Sequence, residues 1–146
     1  MDYSLMEYKP IKICIADHEK LGLERTWRDI LQYLPPDDQE KALRYKQEPD
    51  RIRSVAGSCL ILSHSRLAFP GDNIKIAKTE QGKPYAEGHT GFHFSLSHSG
   101  RLIVYAEDMS PVGVDVERVR EKNWRIFHRY LTEKELKMIE VGSLTA

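Results

Sequence analysis

At 146 residues with 22 basic and 22 acidic side chains, the chain has the length of one ordinary domain, or of one domain and the start of another, and no formal net charge. That balance excludes an overall field drawing the protein to nucleic acid or to an anionic membrane surface. Cys14 and Cys59 form no C-x-x-C, and no apolar run nears the roughly 18 residues of a membrane span, so the pattern predicts a reduced, soluble, cytoplasmic protein without repeats.

Ile11-Lys12-Ile13-Cys14-Ile15-Ala16 is rich in β-branched residues and predicts a first strand, with a loop from Asp17 and His18. Leu23, Trp27, Ile30, Leu31 and Leu34 recur at helical spacing over 21–34, with Trp27 in the core, until Pro35-Pro36 stop that helix. A second helix starts at Pro36-Asp37-Asp38, carries Lys41, Arg44 and Lys46, and is expected to be interrupted at Pro49. From Asp50, the stripe Ile52, Val55, Ala56, Cys59, Leu60, Ser63, Leu67 predicts the main core helix, reaching about Ala68 and ended by Pro70-Gly71. Arg51, Arg53 and Ser54 fall in its first turns, where free N–H groups and the helix dipole favour an anion. The competing reading is a solvated face whose basic residues pair with Glu40, Glu48 and Asp50.

Ile74 to Lys78 reads as a short alternating strand, and Gln81-Gly82-Lys83-Pro84-Tyr85 as a loop presenting Lys83 between a permissive glycine and a φ-locked proline. Phe92 to Ser97 alternates with Phe92, Phe94 and Leu96 inward, and His98-Ser99-Gly100-Arg101 turns the chain into a strand over Leu102 to Ala106. Val112-Gly113-Val114-Asp115-Val116-Glu117 predicts a third strand of an antiparallel meander. In it the valines share one face, and Gly113, Asp115 and Glu117 the other. The two carboxylates then have Cα atoms roughly 6.6 Å apart and can converge on one hard cation such as Mg²⁺, although half-exposed strands also alternate in this way with no ligand. In a meander, His98 is expected to approach this acidic face. Further on, a helical stretch containing Trp124, Ile126, Phe127, Tyr130 and Leu131 precedes Thr132-x-x-Glu135, a capping box that starts a helix running out by Gly142.

Two other chemistries fit poorly. Ser95-Leu96-Ser97-His98-Ser99-Gly100 is not the G-x-S-x-G elbow of a nucleophilic hydrolase. His93 and His98 fall on opposite faces of a strand, which argues against a zinc site with His89. Basic residues at a helix start, a G-K-P lysine, a Ser-His turn and paired carboxylates together suit phosphate chemistry.

The ordered set Gly82-Lys83-Pro84, Phe94-Ser95-Leu96-Ser97-His98-Ser99-Gly100, Gly113-Val114-Asp115-Val116-Glu117 and Phe127…Thr132-x-x-Glu135 closely resembles the 4′-phosphopantetheinyl transferase superfamily. The nearest type is the surfactin-synthetase-activating one, built from two similar α+β halves. The resemblance implies an α+β fold with an antiparallel sheet packed against a long helix. Residues 1–111 would form the N-terminal half and 112–146 an incomplete beginning of the second. It also implies transfer of the phosphopantetheine arm of coenzyme A to a serine of an acyl- or peptidyl-carrier protein, with Mg²⁺ held by Asp115 and Glu117. Lys83, Ser97 and His98 would contact coenzyme A phosphates, with Lys83 and Pro84 also near the adenine. Lys41, Arg44 and Arg53, with Ser54 assisting, would surround the 3′-phosphate, where Asp38 replaces a lysine common in the family.

Family members continue into a W-x-x-K-E-[AS] helix that supplies a third metal carboxylate and a lysine, and this chain ends before it. Glu135 matches an upstream family position. The expectation is therefore a truncated second half, impaired transfer by the chain alone, and self-association through uncovered second-half helices. The alternative is a non-catalytic coenzyme A or carrier-protein binding module.

Overall fold

The computed structural model describes residues 11–119 and 129–143. Along the chain run strand β1 (Lys12–Asp17), helices α1 (Leu23–Leu31), α2 (Pro36–Arg44) and α3 (Glu48–Ala68), strands β2 (Ile76–Lys78), β3 (Pro84–Ala86), β4 (His93–Ser99) and β5 (Leu102–Asp108), and helix α4 (Glu133–Ser143). The expected helix from Trp124 falls largely outside the described residues. Among the described residues, no helix is long and apolar enough to cross a membrane.

The fold is α+β, with an antiparallel sheet of order β1-β5-β4 packed on α3 and a separate β2-β3 hairpin. Helix α3 carries apolar groups on two sides because it lies between two cores. Ile52, Val55 and Leu62 meet Trp27 of α1, Leu34 and Ala42 of α2. Ile61 joins Phe94 and Tyr105 of the sheet and Ile74, Ala86 and Phe92 beside it. Each large side chain buried there contributes about 1.5–3 kcal/mol relative to exposure. Trp27 is 2% exposed, as expected of a core residue, and its indole N–H donates to Glu48 Oε1 at 2.9 Å. Cys14 and Cys59 are free thiols in a strand and a helix, as their apolar surroundings predict.

Helix α3 approaches β4 closely at Gly57, where a Cβ would lie 2.6 Å from Leu96 Cδ2. This contact sets which face of β4 is inward. Phe94, Leu96 and His98 point to the α3 side, and Ser95, Ser97 and Ser99 point away from it.

Four local expectations need correction. Pro49 does not interrupt α2, which already ends at Arg44 before extended Tyr45; it sits in the first turn of α3, where its missing N–H costs nothing. Pro84 begins β3 instead of closing a loop, because Lys78 pairs with it across a turn in which Gly82 has positive φ. His98 and Ser99 belong to β4, and the turn is the two-residue Gly100-Arg101, with φ of 58° at Gly100 as a type II′ hairpin requires.

The fourth correction concerns the acidic segment. Residues 112–117 are extended but join no sheet, since β5 already pairs with β1 on one side and β4 on the other. The segment instead lies along β4, and its contacts advance in step with it: Val114 to Ser95, Val116 to Ser97, Arg118 to Ser99. It therefore runs parallel to β4, not antiparallel in a meander. The predicted alternation survives, with the valines half-buried and Gly113, Asp115 and Glu117 exposed.

Candidate functional site

The candidate residues divide between the two faces of β4. On the α3 side, α2, α3, β2 and β4 enclose a cavity of about 570 Å³. Its lining includes Lys41, Arg53, Ser54, Pro84 and His98. The cations there come from three separate elements, and Lys41 makes no ion pair among the described residues. Ser54 is only 9% exposed, yet its hydroxyl has no hydrogen-bond partner. A buried hydroxyl left unsatisfied and facing a cationic cavity is a ready contact for an anionic ligand.

His98 opens on the same cavity. Partial burial lowers its pKa below the ordinary histidine value, and Arg53 and Lys41 lower it further against an opposing effect of Asp50. These effects favour the neutral imidazole over the imidazolium. Its expected approach to the acidic segment does not occur, because positions 97 and 98 face opposite ways.

On the far face, the Ser97 hydroxyl donates to Asp115 Oδ1 at 2.9 Å and accepts the Val116 N–H at 3.1 Å. Glu117 lines a second cavity of about 840 Å³ with His18, Glu24, Arg101 and Arg118. Arg53 lines both cavities, reaching around the end of β4. Its guanidinium donates through Nη1 to the Gly100 carbonyl at 2.9 Å and pairs with Asp50. It is 18% exposed and so held in place at the junction of the two faces.

Two candidates lie apart from this arrangement. Arg44 pairs with Glu40 one turn away and lines neither of the two cavities. Lys83 borders a small recess with Thr79, Tyr85 and Phe92, while its neighbours Gly82 and Pro84 line the α3-side cavity.

Sequence reasoning missed Tyr45, Ser58, Arg66 and Lys75, which also line that cavity. Ser54, Ser58, Ile61, Leu62 and Arg66 follow the helical repeat of α3, so extending the Arg53-Ser54 face along the helix would have found Ser58 and Arg66.

Two carboxylates on one side of an extended segment fit a Mg²⁺ ion that takes its remaining ligands from phosphate and water. Among the described residues, no group of three or more His, Cys, Asp or Glu converges as a self-sufficient metal cage.

A family model described as "4′-phosphopantetheinyl transferase, N-terminal" matches residues 22–110, which carry the α3-side cavity and the Ser-His strand. The chain belongs to the 4′-phosphopantetheinyl transferase family. It is 29% identical over 108 residues to 4′-phosphopantetheinyl transferase Sfp of Bacillus subtilis, covering 73% of this chain and 48% of that protein. With 4′-phosphopantetheinyl transferase gsp of Aneurinibacillus migulanus it shares 35% identity over 99 residues, 66% of this chain and 41% of that one. With psf-1 of Bacillus pumilus it shares 34% over 130 residues, 86% and 56% respectively. The chain thus spans about half the length of these transferase relatives.

Proposed function

We propose that this chain supplies the coenzyme A and Mg²⁺ side of a 4′-phosphopantetheinyl transfer to a serine of an acyl- or peptidyl-carrier protein. The observation that carries the reading is Arg53, which borders both the cationic cavity and the cavity of Glu117. A nucleotide in the first cavity would pass its pyrophosphate around the end of β4, past this guanidinium, to the acidic pair.

In this reading Lys41, Arg53 and the Ser54 hydroxyl bind phosphate oxygens of the nucleotide, and His98 joins them by taking up a proton when the anion binds. Pro84 borders the base, and Lys83 adds charge beside it. Arg44 contributes to the 3′-phosphate only by exchanging Glu40 for the ligand. Asp115 and Glu117 would hold Mg²⁺, whose charge offsets that building on the leaving phosphate. Ser97 orients Asp115 by donating its proton to Oδ1 and reaches no phosphate itself in this arrangement.

The carrier serine oxygen forms a bond to the phosphorus bearing the pantetheine arm. The pyrophosphate P–O bond breaks, adenosine 3′,5′-bisphosphate leaves, and the serine proton passes to a base. Specificity for a phosphate-rich ligand would follow from cations gathered at one cavity, where they act more strongly than in open solvent.

Mass spectrometry of an apo carrier protein incubated with this protein, coenzyme A and Mg²⁺ tests the proposal. A gain of one phosphopantetheine, abolished by Asp115→Ala, supports it. Calorimetric binding of coenzyme A without any gain supports a non-catalytic binding module instead.

A further inference from the structure

The acidic segment is attached to the fold in an unusual way. The amides of Val114, Val116 and Arg118 all bond to side-chain oxygens of β4. Val114 N–H donates to Ser95 Oγ at 3.2 Å, Val116 N–H to Ser97 Oγ at 3.1 Å, and Arg118 N–H to Ser99 Oγ at 2.9 Å. Side-chain hydroxyls thus stand where a neighbouring strand's carbonyls would stand in a sheet.

From this arrangement we infer that Ser95, Ser97 and Ser99 form a hydroxyl ladder that fixes the register of the acidic segment, making Ser95 and Ser99 positioning residues for Asp115 and Glu117.

The parity of the contacts is the physical basis. Each serine meets the residue nineteen positions ahead of it, an odd offset. With serines at odd positions on one face of β4, the bonded amides belong to the even residues Val114, Val116 and Arg118. The side chains of Asp115 and Glu117 are then turned outward together. A slip of one residue would invert every side chain of the segment, burying carboxylates against the sheet and exposing valines. A hydroxyl is suited to this duty because it accepts an amide proton and still has its own proton to donate. Ser97 uses that proton on Asp115, so it acts on both register and carboxylate. Ser95 and Ser99 act on register alone. Alanine at either position would remove the acceptor and leave the facing amide to water.

The inference rests on reading Asp115 and Glu117 as cation ligands, and the test separates the two. Backbone amide hydrogen exchange is measured by NMR on the metal-free protein, and Mn²⁺ affinity by calorimetry or electron paramagnetic resonance, for Ser95→Ala, Ser99→Ala and the hydroxyl-retaining Ser95→Thr and Ser99→Thr. The ladder predicts exchange at Val114 faster by about fivefold in Ser95→Ala, and likewise at Arg118 in Ser99→Ala, with core amides of Tyr105 and Ile61 unchanged. It predicts Mn²⁺ binding weaker by about tenfold in each alanine variant and restored by threonine, while affinity for adenosine 3′,5′-bisphosphate without metal stays constant.

Unchanged exchange at those amides in the alanine variants would overturn the ladder. Faster exchange with unaltered Mn²⁺ affinity would overturn the positioning role. Failure of the unsubstituted protein to bind Mn²⁺ would defeat the cation reading of Asp115 and Glu117 and the positioning role with it, leaving the exchange data to judge the ladder alone.

Discussion

The hydroxyl of Ser97 lies 2.9 Å from Oδ1 of Asp115 and joins a side chain of β4 directly to one of the acidic segment. Because Asp115 is exposed, its replacement should disturb the site and not the fold. Asp115→Asn keeps a hydrogen-bonding oxygen but removes the charge. We expect a stability change within about 0.5 kcal/mol and at least a tenfold loss of divalent-cation affinity, read by thermal melting and Mn²⁺ titration.

Ser54 gives a prediction with opposite signs for stability and binding. Its unpartnered hydroxyl is buried at a cost that Ser54→Ala removes, so the free protein should gain up to about 1 kcal/mol. A hydrogen bond from that hydroxyl to a phosphate would be lost, weakening adenosine 3′,5′-bisphosphate by about tenfold. A variant that loses both stability and affinity would show that the hydroxyl has a structural role.

His98 couples the cavity to pH. Burial, then Arg53 and Lys41, place its folded pKa below the unfolded value, so the unfolded chain binds the proton more readily. The contribution to stability is complete above the unfolded histidine pKa of about 6.5 and is lost as pH falls through the lower folded value. His98→Asn should therefore flatten the decline in melting temperature below pH 7. A bound phosphate reverses the local balance and favours the imidazolium. Adenosine 3′,5′-bisphosphate should bind more tightly at pH 6.5 than at pH 8 in the unsubstituted protein, and the difference should vanish in His98→Asn.

At the other end of β5 from the Gly100-Arg101 turn, Tyr105 Oη donates to Glu107 Oε2 at 2.8 Å and Lys12 pairs with Oε1 at 2.9 Å. Burial, reinforced by Glu107, drives the Tyr105 phenol well above its ordinary pKa, so it remains a donor. Tyr105→Phe removes one partner of a nearly buried carboxylate and should cost about 1–3 kcal/mol in denaturant unfolding. Nucleotide affinity should not change.

Much of this arrangement was legible in the chain. The stripe along α3, the alternation of β4 and the pairing of small and acidic residues in 112–117 are periodic signals, and periodicity survives tertiary packing. The capping box at Thr132 was equally readable: Glu135 accepts the Thr132 N–H at 2.8 Å, while the Thr132 hydroxyl accepts the Glu135 N–H at 3.3 Å. What could not be read was which face meets which neighbour. Val112 to Val116 has a strand's alternation, yet β5 offers it no free edge, and this is a property of β1, some hundred residues earlier. The separation of Ser97 from His98 follows from continuing β4 two residues further than its apolar pattern extends. The double exposure of Arg53 depends on a hairpin 47 residues away.

The central claim is that one ligand joins the cationic cavity to the acidic pair around the end of β4. Calorimetric titration with coenzyme A, with and without Mg²⁺, in the unsubstituted protein and in Asp115→Ala tests it most directly. Mg²⁺ should tighten coenzyme A binding several-fold in the unsubstituted protein and leave Asp115→Ala at its metal-free affinity. Coenzyme A affinity that is indifferent to Mg²⁺, or a Mg²⁺ effect that survives loss of Asp115, would contradict it.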